Sequence, residues 1–404
     1  MSVPKLRFTE FNLPYKLTEL GDALIGYSLG GNYANSCDVT SNPLIKMGNL
    51  GRGYINTEKV EYIQNNEMIT DDNKLEIGDL LFNTRNTLDL VGKVAIWRGE
   101  LERAYFNSNI MRMVFDNNYY MNYALNTKKS LTKLKAIASG TTSVAAIYTK
   151  DLKKIKIWIP SIKEQTKISD FLSSVDDKIT LLNKQYDLLC RYKKEMLQKV
   201  FSQELRFKDD SGDDFSDWEE VALKNIASKV NTKNRDNLVS TVLTNSATQG
   251  IVSQESYFER EIVTESNLKG YYVVKIGDFV YNPRISSTAP VGPIKMNELT
   301  QGVMSPLYTV FRFEKGLLKF YQYFFESSVW HDYMKSVANS GARHDRMNIS
   351  GADFFDLPVP KPSDEEQTKI ARFISAIDDK ITTKKTELEN LKTWKQGLLQ
   401  QLFV

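Results

Sequence analysis

Two stretches of the chain carry apolar positions in alternating steps of four and three. The first, Pro160 to Phe201, places Ile168, Leu172, Val175, Ile179, Leu182, Tyr186, Leu189, Lys193, Met196 and Val200 on this pattern. The second, Pro362 to Phe403, places Ile370, Ile374, Ile377, Ile381, Lys384, Leu388, Leu391, Lys395, Leu398 and Leu402. A period of ~3.5 residues held for more than about four heptads predicts a coiled-coil seam rather than the wider stripe of a surface helix. Pro-Ser followed by a first-turn glutamate, Glu164 or Glu366, marks where each helix begins. At ~1.5 Å per residue, each helix is roughly 60 Å long. The seam contacts are expected from Ile168, Leu172, Val175, Ile179, Leu182 and Leu189 on one helix, and from Ile370, Ile374, Ile377, Ile381, Leu388 and Leu391 on the other.

The two stretches are copies of one another. PSIKEQTKISDFLSSVDDKIT opens the first and PSDEEQTKIARFISAIDDKIT the second, and about nineteen of roughly forty-two positions are identical without a gap. A period of half the chain means two similar modules, each closed by the same helix. The flanking segments agree. LRF stands at Leu6 to Phe8 and again at Leu205 to Phe207, and EIGDLLFNTRNTLDLVG is matched by KIGDFVYNPRISSTAPVG. The apolar runs of these last segments alternate as strands do, around a polar loop. A helical stretch in each module leads to a Ser-Gly loop, SGTTS (Ser139 to Ser143) or SGARHDRMN (Ser340 to Asn348), and a short strand then enters the long helix.

Connectivity sets the direction of the helices. Parallel helices would force the second module to bridge about one helix length, roughly 60 Å, whereas antiparallel helices leave room for a compact module between them. The expected fold is α+β: two similar globular domains joined by two long helices in an antiparallel coiled coil, with pseudo-two-fold symmetry. The expected boundaries are 1–159 for the first domain, 160–202 for the first helix, 203–361 for the second domain and 362–404 for the second helix.

Composition narrows the chemistry. With 404 residues, 41% of them hydrophobic, the chain can bury more than one core. No run approaches the ~18 apolar residues of a membrane span, and the N-terminus lacks an apolar signal core, so a cytoplasmic location is expected. Cys37 and Cys190 stand far apart in sequence and form no metal or disulfide pattern. The net charge of +3 hides an acidic run, Asp209 to Glu220, so the remainder is more basic than the total. Two histidines, His331 and His344, are too few for most metal or triad arrangements, and neither phosphate-loop nor dinucleotide glycine patterns occur. Asn42-Pro43 and Asn282-Pro283 lack the second proline and the aromatic residue that amino-methyltransferases carry. Asp176-Asp177 and Asp378-Asp379 read as a solvated face or a partner contact. Neither a catalytic group nor a metal site is expected in this chain.

The loops carry the candidate nucleic-acid contacts. Arginine can read guanine, asparagine can read adenine, and serine or threonine can bind phosphate or base. The first module offers Lys46, Asn49, Asn83, Thr84, Arg85, Thr87, Lys93, Thr141, Thr142 and Ser143. The second offers Thr244, Asn245, Asn282, Arg284, Ser286, Ser287, Thr288, Arg343, His344, Arg346 and Asn348. The bland alternative for Arg85 and Arg284 is a structural salt bridge to Asp79 or Asp278.

The duplicated P-S-x-x-E-Q-T-K-I helices, the G-D-x-x-[FY]-N-x-R strands and the Ser-Gly loops together resemble the specificity (S) subunits of type I restriction–modification enzymes. The resemblance covers nearly the whole chain. It implies two target-recognition domains that each read one half of a bipartite, asymmetric site on double-stranded DNA, as in bacterial defence. It implies that the helices set the spacer and dock two methyltransferase (M) subunits, with restriction (R) subunits joining the full complex. S-adenosylmethionine, ATP and magnesium (Mg) would serve those partners, with no cofactor of this chain's own. The competing reading is a coiled-coil scaffold that assembles proteins without DNA.

Overall fold

Both coiled-coil patterns form single helices, Ile162–Phe201 and Asp364–Leu402. The computed structural model describes residues 3–255, 265–339 and 345–404. These fall into two units, Met1–Asn183 with Thr386–Val404, and Lys184–Lys385. The division passes through both helices rather than at the ends expected from the sequence. Each half-helix buries its apolar stripe in the core of the unit that it belongs to.

In the first unit the start of the first helix lies against the end of the second. Ile168, Leu172 and Val175 share a core with Leu398, Leu402 and Phe403, and the rings of Phe171 and Trp394 meet edge to face at 6.0 Å. In the second unit the roles exchange: Leu197, Val200 and Phe201 share a core with Ile370, Ile374 and Ile377. The helices therefore pair antiparallel. All twelve seam residues expected from the sequence are buried or half-buried. Full burial of such a side chain contributes about 1.5–3 kcal/mol.

The paired acids on these helices need a correction. Asp176 and Asp378 are half-buried rather than fully solvated, because each closes an ion pair between the helices. Asp176 accepts from Lys395 and, at 2.7 Å, from the Tyr123 hydroxyl. Asp378 accepts from Lys193 at 2.7 Å and from the Tyr323 hydroxyl at 2.9 Å. Glu326 takes a second contact from Lys193, also at 2.7 Å. Burial by itself would lower the Lys193 ammonium, but Glu326 and Asp378 outweigh it and hold the group above its ordinary value. Two of the three lysines at seam positions, Lys193 and Lys395, are thus explained: the stem packs and the amine finds a carboxylate. Asp177 and Asp379 remain exposed.

Each unit hangs on a four-stranded antiparallel sheet. In the first the order is Gly26–Leu29, Ile110–Val114, Leu80–Asn83 and Val94–Ile96. In the second it is Ala227–Lys229, Thr309–Phe313, Phe279–Tyr281 and Ile294–Met296. Both faces are buried, and side chains alternate between two cores with the strand's period of two. Leu80 and Phe82 join the core that includes the helices, while Leu81 joins the opposite one. Phe279 and Tyr281 repeat this against Val280. A further two-stranded pairing leads into each long helix, Lys16–Glu19 with Lys156–Ile159 and Glu219–Ala222 with Pro358–Lys361.

One backbone hydrogen bond shows how closely the plan repeats. Leu205 N–H donates to the Lys199 carbonyl at 3.0 Å where the chain leaves its first helix. Leu6 N–H donates to the Gln401 carbonyl, also at 3.0 Å, although four hundred or so residues separate them in sequence.

Candidate nucleic-acid interface

The repeated motifs build the frame from which the loops project. Glu164 and Glu366 sit in the first turn of the long helices and are 1% and 0% exposed. A buried carboxylate needs a partner, and the LRF arginines supply it. Arg7 clasps Glu164 through Nε at 2.8 Å and Nη2 at 2.7 Å, and Arg206 clasps Glu366 at 2.9 and 3.1 Å. The Tyr15 hydroxyl donates to Glu164 at 3.2 Å, and the Trp218 indole donates to Glu366 at 2.8 Å. Burial, then the Glu164 charge, raises the Tyr15 hydroxyl well above its ordinary value. The neighbouring Gln165 and Gln367 donate to the carbonyls of Pro160 and Pro362, closing the turn before each helix.

The G-D motif works the same way. Gly78 and Gly277 adopt φ of +96° and +88°, a region that glycine enters without strain. The following aspartates face the sheet. Asp79 accepts from Arg112 at 3.0 Å, and Asp278 from Arg312 at 2.6 and 2.9 Å. This settles the bland alternative for Arg85 and Arg284: the aspartates hold other arginines, and both candidates are exposed. Among the described residues Arg284 comes no closer than 4.0 Å to a carboxylate, that of Asp345.

The N-x-R motif turns the strand outward. The Asn83 side chain accepts from Arg85 N–H at 3.2 Å, and Asn282 accepts from Arg284 N–H at 3.0 Å. Beyond this turn the two units differ in detail but keep one plan. In the first, Arg85-Asn86 pairs with Ala145–Ala146, which pairs in turn with Ser139–Gly140. Thr141, Thr142 and Ser143 form the exposed tip of that hairpin, and Leu88 N–H donates to the Thr142 carbonyl at 3.1 Å. In the second, Arg284 bridges to Arg346, Ile285 N–H donates to Asp345 at 3.0 Å, and Met347 N–H donates to Pro283 at 2.8 Å. Two loops that the sequence marked separately thus meet in each unit. Arg343 and His344 lie outside the described residues.

A polar recess opens beside each loop pair. That of the second unit, about 310 Å³, is lined by Thr244, Asn245, Asn282, Arg284, Tyr308 and Arg346 among others. That of the first, about 550 Å³, is lined by Lys46, Asn49, Lys59, Asn86 and Lys93 among others. Corresponding segments, after the Val91-Gly92 and Val291-Gly292 turns, contribute Lys93 to one and Pro293 to the other.

Of the candidate contacts, Arg85, Thr141, Thr142, Ser143, Arg284, Ser286, Ser287, Thr288 and Asn348 are exposed. Lys46, Thr84, Thr87, Lys93, Asn282 and Arg346 are half-buried. Four candidates are buried and bond to the protein, although Asn83 Nδ2 and Asn245 Oδ1 are buried without a partner among the described residues. Asn49 accepts from Lys46 N–H and donates to the carbonyls of Asn56 and Lys59. Asn245 donates to Val280 and Pro293 at 2.7 and 3.1 Å, and Thr244 meets the Tyr308 hydroxyl at 3.1 Å. Asn83, fully buried, props the turn before Arg85. These four shape the loops instead of presenting donors to solvent. Lys46 is neutralised by Glu61 at 2.9 Å, and the Thr84 hydroxyl donates to Asn109 at 2.8 Å. Sequence reasoning passed over Tyr308 and Arg52, whose neighbours become evident only once the strands are paired.

Among the described residues no group of three or more His, Cys, Asp or Glu could hold a metal, and no helix is long and apolar enough to cross a membrane. The fold is shared with the crystal structure of a type I restriction–modification S subunit from M. genitalium. That likeness spans 100% of this chain and 99% of that one, at a TM-score of 0.56 and 16% identity. Two specificity subunits of Methanocaldococcus jannaschii are similar in sequence. That of the type I restriction enzyme MjaX is 26% identical, covering 98% of this chain and 95% of its own length. That of MjaVIII is 25% identical, covering 84% and 80%. Residues 14–190 and 215–393 each match the type I restriction modification DNA specificity domain, and the chain belongs to that family.

Proposed function

We propose that this chain is the sequence-reading subunit of a type I restriction–modification complex. Each unit reads one half of a bipartite site on double-stranded DNA, and the paired helices set the number of unspecified bases between the halves. The observation that carries this reading is the contrast between frame and loops. The Glu–Arg clamp, the Gly-Asp turn and the Asp–Lys pair recur in both units, while the recesses beside the loops differ: lysines and glutamates line one, arginines, hydroxyls and Tyr308 the other, with asparagines in both. Two readers of one design and unlike chemistry suit an asymmetric site.

In this reading the chain performs no chemistry. Methyl transfer, ATP hydrolysis and cleavage belong to M and R subunits, which use S-adenosylmethionine, ATP and magnesium. The helices are the docking surface for two M subunits. Leu188 and Tyr192, one turn apart on the first helix, remain 48% and 43% exposed there. The decisive experiment maps methylated adenines across the genome of cells with and without this chain. A bipartite motif that disappears with the chain supports the proposal, and an unchanged methylation pattern refutes it. Removing one heptad from each helix, ~10 Å of rise, should shorten the spacer or abolish methylation. An unchanged spacer would remove the measuring role from the helices.

A further inference from the structure

The recess of the first unit contains more positive charge than its neighbours can neutralise. Three lysines and two glutamates line it, Lys46, Lys59 and Lys93 with Glu58 and Glu61. Lys46 is bound to Glu61 at 2.9 Å, and Lys59 adjoins Glu58 in sequence. Lys93, half-buried, forms no ion pair among the described residues. Next to it stands a second cation in the same condition. Arg52 donates through Nη2 to the Asp89 main-chain carbonyl at 3.0 Å, while its Nη1 is buried without a partner. The Asp89 carboxylate is turned to solvent, 87% exposed, and is engaged by Lys135 at 2.9 Å. Burial lowers the Arg52 guanidinium, against a weaker opposing pull from the Asp89 carboxylate, and burial together with Arg52 lowers the Lys93 ammonium.

We propose that Arg52 and Lys93 form a phosphate-binding site of the first unit, filled by the DNA backbone when the adjacent loops engage the duplex. The inference rests on the DNA-reading function and assigns it one contact. Asp89 compensates Arg52 only from an exposed position that it shares with Lys135, so two neighbouring half-buried cations are still favoured by an added anion. A phosphate supplies a full charge and several acceptor oxygens, and both guanidinium and ammonium bind it well. A guanine edge offers only neutral acceptors and leaves the repulsion uncompensated. The second unit has Pro293 at the corresponding turn, so its recess carries no such amine. That recess carries Arg284 and Arg346 instead, so the pairing of Arg52 with Lys93 is particular to the first unit.

The test uses the full chain assembled with its methyltransferase subunits. Binding is measured from about 50 to 200 mM salt on the duplex identified by methylation mapping and on the same duplex with its site scrambled. Lys93→Gln and Arg52→Gln should weaken both complexes several-fold, and each should make the slope of log K against log salt shallower by up to ~0.9. Lys93→Arg should restore the slope. A wild-type slope in Lys93→Gln overturns the site, and so does a loss confined to the mapped duplex, which would mean base reading. Failure of the wild-type complex to bind either duplex would instead overturn the DNA-reading function itself.

Discussion

The clamp at the start of the second long helix allows a quantitative test. Glu366 is fully buried, and its carboxylate receives Arg206 Nε at 2.9 Å, Arg206 Nη2 at 3.1 Å and the Trp218 indole at 2.8 Å. Arg206→Met removes the compensating charge and leaves the carboxylate with a single neutral side-chain donor. Breaking a buried pair on one side costs about 3–5 kcal/mol. Because the Arg206 side chain is 24% exposed, water can reach part of the gap, and the expected loss is at the lower end, about 3 kcal/mol. Glu366→Gln keeps the shape but sets an NH2 group against donors, at a cost of about 2 kcal/mol. The double variant strands no charge, so it should lose only about 1–2 kcal/mol, less than Arg206→Met alone. Urea titration followed by hydrogen exchange in residues 203–222 and 362–370 reads the effect locally, and residues 3–19, around the equivalent Arg7 clamp, serve as the control. The reasoning fails if Arg206→Met costs under ~1 kcal/mol, or if the double variant loses the sum of the two single losses.

Other outcomes rest on the same geometry. Lys193→Met should destabilise the second unit by about 2 kcal/mol at neutral pH, since two carboxylates lose their shared donor. The Lys193 ammonium is raised in the folded state, so its contribution is whole below the unfolded lysine value of ~10.4 and disappears as pH rises through the higher folded value. Wild type and variant should therefore differ at pH 7 and converge in alkaline denaturation; a constant difference up to high pH would exclude the ion pair as the cause. Asp278→Asn should cost about 2 kcal/mol by weakening the hold on Arg312, visible as faster hydrogen exchange in 279–281 and 309–313. Arg284→Ala should leave stability within ~0.5 kcal/mol of wild type, because its side chain is 69% exposed. It should change the base preferred at one position of one mapped half-site, and equal weakening on all sequences would instead make Arg284 a phosphate contact.

The sequence disclosed the helices, their pairing and the two-module plan almost completely, because a heptad pattern and a gapless repeat are signals that tertiary packing rarely overrides. It also marked Asn83, Arg85, Asn282 and Arg284 as the place where loops leave the sheet. The partners of these residues were less legible. Asp79 with Arg112 and Asp278 with Arg312 are cross-sheet pairs whose members lie more than about thirty residues apart, so strand order has to be known before they can be matched. Asp176 and Asp378 stand at positions that on a single amphipathic helix would face water; the opposing lysine is seen only when the helices are laid antiparallel. The buried asparagines, Asn49 and Asn245, have the same composition signature as exposed readers. Only their hydrogen bonds to main-chain carbonyls separate the two roles.

That separation changes what the repeated motifs mean. Identity between the two halves is concentrated in E-Q, G-D, N-x-R and the D-D-K-I stretch, and nearly every such residue now has an internal partner: Glu164 with Arg7, Asp79 with Arg112, Asn83 with the Arg85 main chain, Asp176 with Lys395. Arg85 and Arg284, and on the helices Asp177-Lys178 and Asp379-Lys380, are shared in sequence yet exposed in structure. A frame whose charges are satisfied within itself keeps its geometry when loop residues change. The loops can then diverge freely, as Lys93 and Pro293 have done at one turn and the Ser139–Gly140 hairpin and the 345–348 segment have done beside it. If the proposed function holds, substitutions in the recess linings and loop tips should suffice to alter specificity. Exchanging the clamps would alter stability and leave the site that is read unchanged.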